Sequence, residues 1–139
     1  MKDANCAYCG NHAVLAGFGY PICELEHALI YVFKEQSNKG RVICAAKEHV
    51  SDITGMTDEA RNGFFADMNR VARALHQLYH PDKINYAAFG DTSGHCHFHL
   101  VPKYKGSEEF GGMFAMNSGK LVLDDGACEK LAAEIRSAL

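Results

Sequence analysis

The sequence predicts an α+β fold, an antiparallel β-sheet with one long central helix and a C-terminal helix packed against it. Three observations carry that reading: two β-rich runs separated by a polar loop, a long segment with apolar residues at helical spacing, and two further β-rich runs around a glycine-bearing turn.

The first strands are residues 26–33, EHALIYVF, and 41–46, RVICAA, joined through KEQSNKG as a hairpin with a longish loop. Thr57 then reads as an N-cap, with Asp58 and Glu59 in the first turn of a helix that spaces Phe64, Phe65, Met68, Val71, Leu75, Leu78 and Tyr79 along one broad face. Residues before proline disfavour helix, so this one ends near His80, ahead of Pro81. Its aromatic and methionine positions read as core. Residues 84–89, INYAAF, and 95–101, HCHFHLV, are the next strands, around the turn Gly90–Gly94. The tail has an acidic start at Asp124 and Asp125 and puts Leu131, Ile135 and Leu139 on one face of a second helix. With no repeat or linker, the 139 residues read as a single domain, 1–139.

Composition bounds the function. The chain is 47% hydrophobic and 22% charged, and its net charge of −3 argues against a broad nucleic-acid or membrane surface while leaving room for a small pocket that takes an anion. The N-terminal MKDANCAYCG has no apolar signal core, so a cytoplasmic location is expected, where paired cysteines more often bind metal than each other. Of the six cysteines, Cys23, Cys44, Cys96 and Cys128 read as small buried hydrophobes.

GHCHFHLVPKY, residues 94–104, carries the chemistry. On an extended strand His95, His97 and His99 share one face, about 7 Å apart at successive Cα atoms, while Cys96, Phe98 and Leu100 take the other. A coordination site, a nucleophile with helpers, or a surface stripe all fit that pattern. CAYC adds Cys6 and Cys9 at the spacing of a zinc knuckle, which is half a site. His12, His27, His49, His95 and Cys23 are candidates for the other half, and two unrelated cysteines are the alternative. His76 and His80 read as cations near a helix C-terminus.

With H-x-H-x-H followed by two apolar residues, preceded in order by C-x-x-C, a hairpin, KEHV, a long helix, a strand and a glycine turn, the sequence resembles the histidine triad (HIT) family of nucleotide hydrolases and transferases. Its zinc-containing bacterial-type members are the nearest pattern. The resemblance implies one structural zinc per chain, held by Cys6, Cys9, His49 and His95. It implies that His97 attacks the α-phosphate of a dinucleoside polyphosphate, such as diadenosine tetraphosphate, or of a nucleoside phosphoramidate, forming a covalent nucleotidyl-histidine that water hydrolyses. His99 would then hydrogen-bond the non-bridging oxygens. Gly90 and Thr92 match phosphate-contacting positions, Glu35 (or Gln36) the ribose contact, and Asn85 a polar position of the nucleotide site. Asp91 departs from the family, which commonly has Gln there. Lys103 and Lys105 follow the triad and are expected to be solvent-exposed. Alternative readings are a nucleotidyltransferase using the same intermediate, a non-catalytic nucleotide-binding module, and a metalloenzyme whose ion sits on His95, His97 and His99. The expected partners are a small nucleotide and a second copy of the chain, paired through the long helix and the strand INYAAFGD; no nucleic-acid or membrane partner is expected.

Overall fold

Two continuously apolar runs, covered on both faces, and a polar hairpin loop build the first antiparallel pair, and the rest of the sheet extends from it. The computed structural model describes residues 2–139, with strands β1 (Gly19–Glu24), β2 (Ala28–Phe33), β3 (Val42–Ala46), β4 (Lys83–Ala87) and β5 (His97–Lys103). All neighbours in the order β1-β2-β3-β5-β4 are antiparallel, so the α+β expectation holds. The strand not marked by the sequence pattern is β1, which carries Pro21 and an irregular register between Pro21 and Cys23. Proline lacks the ladder donor and reads as a strand breaker, but an edge strand tolerates it.

A short helix α1 (His12–Leu15) precedes the sheet, α2 (Asp58–Tyr79) crosses it, and α3 (Asp125–Ser137) closes the chain. Thr57 caps α2 by accepting from the Ala60 amide, and His80 ends it in the left-handed region at φ 49°. Phe64, Met68, Val71 and Leu75 of α2, with Leu131 and Ile135 of α3, bury against Ile30, Val32, Val42, Cys44 and Leu100 on one sheet face. Each such side chain contributes about 1.5–3 kcal/mol on leaving water. Tyr79 ties the two helices by donating to the Glu134 carboxylate at 2.9 Å.

The opposite sheet face has a smaller apolar cluster of Tyr8, Leu15, Tyr31, Phe33, Ile43 and Ala45, covered by the N-terminal segment. Register puts the histidines on this face, since Ile43 pairs with His99 and Ala45 with His97. Lys103, expected to be exposed, is buried instead. Its ammonium donates to the Glu109 and Gly112 carbonyls at 2.6 and 2.9 Å, so the lysine pins the loop after β5. Among the described residues no helix is long and apolar enough to cross a membrane.

Candidate active site and metal centre

Strand alternation delivers His97 and His99 to one cavity of about 630 Å³, a size suited to a small ligand. Tyr8, Phe18, Phe33, Phe89, Thr92 and Met116 contribute to its lining. The His97 Nδ1 lies 2.9 Å from the His95 carbonyl. A carbonyl only accepts, so Nδ1 carries the proton and donates, and Nε2 keeps its lone pair. Burial lowers the His97 pKa below the usual imidazole value, which favours that neutral form. The Tyr8 ring packs 5.1 Å from His97 and 5.3 Å from His95, centroid to centroid.

His99 has a different neighbour. Its Nδ1 faces Nη2 of Arg41 at 3.2 Å, and its ring meets Phe33 edge-on at 5.3 Å. Burial, then the Arg41 charge, then His97 push its pKa down to about 3. Arg41, Phe33, Tyr8 and Met116 are site residues that the motif reading missed. Alternation gave one signal: Arg41 lies two positions before Ile43, on the histidine face, immediately ahead of an apolar strand.

His95 lies just ahead of the β5 ladder and turns toward another centre. Its Nε2 donates to the Ala46 carbonyl at 2.6 Å, leaving Nδ1 to face the Cys6 sulfur at 3.4 Å and the His49 Nδ1 at 3.2 Å. The Cys9 sulfur lies 3.3 Å from that same His49 nitrogen. One donor atom from each of these four residues lies within 4.8 Å of every other. A tetrahedral zinc with bonds of about 2.0–2.3 Å needs ligand-to-ligand edges of roughly 3.3–3.8 Å, so the donor set fits such an ion. The carbonyl behind His95 is the kind of outer partner that orients a metal-bound imidazole. The other candidates, His12, His27 and Cys23, lie outside the cluster, and so do His97 and His99.

The remaining residues singled out by sequence are dispersed. Thr92 lines the cavity with Ser93 and Gly94, whereas Gly90, Asp91, Asn85 and Glu35 do not. Asn85 shares the histidine face of β4 but pairs with Val101, beyond His99. Glu35 is buried, accepting from the Ser37 amide at 2.8 Å and from the Ser118 hydroxyl at 3.1 Å. Burial pushes its carboxyl up, but these hydrogen bonds outweigh that and hold it below the ordinary range. Gln36 closes the β2–β3 loop by donating to the Phe33 and Arg41 carbonyls at 2.7 and 2.8 Å. Asp91 is exposed and is not among the cavity-lining residues. A second groove of about 540 Å³ runs along β1 and holds neither imidazole of the pair.

A HIT domain model matches residues 21–106. Protein hit of Bacillus subtilis (strain 168) is 26% identical over 117 residues, covering 79% of each chain. A crystal structure of a Zn-bound histidine triad family protein from Mycobacterium smegmatis is 25% identical, covers 96% of this chain and 92% of that one, and superposes with a TM-score of 0.70. A histidine triad protein from Marinobacter aquaeolei VT8 shares the fold with a TM-score of 0.82 at 17% identity, over 92% and 93% of the two chains.

Proposed function

Because the chain belongs to the HIT domain family, we propose that it is a nucleotide hydrolase in which His97 is the nucleophile. The observation that carries this reading is the 2.9 Å hydrogen bond from His97 Nδ1 to the His95 carbonyl, which leaves an Nε2 lone pair in a ligand-sized cavity. Nε2 attacks the α-phosphorus of a dinucleoside polyphosphate or a nucleoside phosphoramidate. The new P–N bond forms as the bond to the leaving group breaks, a phosphate oxygen departing as the anion and an amine departing after taking a proton from water. The ring acquires positive charge, and the His95 carbonyl stabilises it through the Nδ1–H that it already holds. Water then attacks the same phosphorus, releasing the nucleoside monophosphate and restoring the neutral imidazole. His99 and the Thr92 hydroxyl donate to the non-bridging oxygens, where preorganised donors act most strongly.

The Cys6, Cys9, His49 and His95 cluster is assigned to a structural zinc, one per chain. Two thiolates and two neutral imidazoles neutralise the ion and close its coordination, so the zinc would supply rigidity and not Lewis-acid chemistry. It would lock the N-terminal knuckle to the strand end, and with it Tyr8 over His97. The assay is turnover of diadenosine tetraphosphate and of adenosine phosphoramidate. His97→Ala is expected to abolish turnover while nucleoside monophosphate binding stays within about threefold, and substantial turnover by purified His97→Ala sinks the assignment.

A further inference from the structure

Arg41 is 1% exposed, and no carboxylate lies within ion-pairing distance of it among the described residues. Its guanidinium sits between the Phe33 and Phe114 rings, 4.1 and 4.8 Å from their centroids, and donates to the Ala115 carbonyl at 3.2 Å and the Met116 sulfur at 3.4 Å. Its Nε has no partner. Glu35 and Glu109 are the carboxylates that act on this charge, beyond direct ion-pairing distance; burying a charge without a paired counter-ion is costly, and aromatic faces offset only part of that cost. The remaining contact is Nη2 with His99 Nδ1, at 3.2 Å.

A guanidinium has donors only. Whichever imidazole nitrogen faces it must offer a lone pair, and the proton of the neutral ring then belongs on the other nitrogen. A second proton would set two positive charges side by side. Resting on the hydrolase reading above, we infer that Arg41 is a positioning residue that fixes His99 as the neutral Nε2–H tautomer, making it a hydrogen-bond donor to the transferring phosphoryl group and not a proton-donating imidazolium. His97 and His99 are thereby set to opposite tautomers by opposite neighbours. A carbonyl, which only accepts, leaves His97 Nε2 bare; a guanidinium, which only donates, leaves His99 Nε2 protonated. One strand face presents a nucleophile and a donor from two identical side chains. Arg41 also holds residues 114–116, and Met116 is part of the cavity wall, so ring and wall are set by one group.

The test is long-range ¹H–¹⁵N correlation spectroscopy of the zinc-loaded protein with ¹⁵N-labelled histidine, with His99→Asn to assign the signals. At pH 7, His99 is expected to show a protonated Nε2 and a bare Nδ1, and His97 the reverse. Arg41→Met should give mixed His99 tautomers and lower kcat about 100-fold, the scale of losing one oriented donor, with KM little changed. Arg41→Lys, still a donor-only cation, should keep the Nε2–H form. An Nδ1–H tautomer in the parent protein, or an unchanged tautomer in Arg41→Met, overturns the inference. These spectra need no substrate: expected tautomers without turnover of any nucleotide support the role of Arg41 and sink the hydrolase reading, whereas turnover with the wrong tautomer sinks the role of Arg41 alone.

Discussion

The imidazole of His99 titrates in the unfolded chain near 6.5, but in the folded chain burial, Arg41 and His97 push it down to about 3. Between those values the unfolded state binds a proton that the native state refuses. Stability from this residue is therefore fully present above about pH 6.5 and is lost as pH falls toward 3. His99→Asn removes the titrating group while its side-chain oxygen can still accept from Arg41. Urea unfolding of zinc-loaded protein at pH 7 and pH 5 should show a smaller loss on acidification for His99→Asn than for the parent; equal losses in the two proteins contradict the assigned environment.

At the scale of elements, α2 shows how a local rule is overridden by packing. Glycine inside a helix ordinarily costs about 1 kcal/mol relative to alanine, so Gly63→Ala would normally stabilise. Here a Cβ on Gly63 would sit 2.4 Å from the His27 ring and 2.6 Å from its Cγ. Overpacking of that kind costs about 1–3 kcal/mol, and Gly63→Ala is expected to destabilise. In a His27→Ala background the same change should instead stabilise by about 0.5–1 kcal/mol. A double-mutant cycle by urea unfolding reads the sign change, and its absence contradicts the contact. Legibility followed the same division between local and long-range causes. The spacing of Phe64, Met68, Val71 and Leu75, the Thr57 cap and the alternation of the triad are local, and the elements they mark were readable. β1 was not, because Pro21 and the nearby bulge mask a strand that edge pairing rescues. Cys6, Cys9, His49 and His95 fell together as the family resemblance implied. Arg41 and Tyr8 went unread because only the sheet register and the fold of the N-terminal segment bring them to the imidazoles. Glu35 and Asn85 were placed by family position, and the β2–β3 loop and the register of β4 carry them away from the cavity lining.

For the molecule as a whole, the outer strand β4 and the face of α2 leave an apolar surface in which Phe65 is 41% and Tyr86 52% exposed, and Phe65 stacks edge-on against Phe98 at 5.5 Å. We propose that this open edge beside exposed aromatics pairs with a second copy of the chain, two-fold pairing being the commonest closed assembly. Native mass spectrometry is expected to give twice the 15.3 kDa chain mass with two zinc ions, and chelation should remove the zinc together with the folded charge-state envelope. A metal-free folded monomer contradicts both proposals. The central claim, covalent chemistry at His97, is tested most directly on the intact chain by rapid mixing with diadenosine tetraphosphate or adenosine phosphoramidate, acid-free quenching and mass measurement. A transient species heavier by one nucleotidyl group is expected in the parent and none in His97→Ala. Turnover without any such adduct under single-turnover conditions, or the same adduct in His97→Ala, would contradict it.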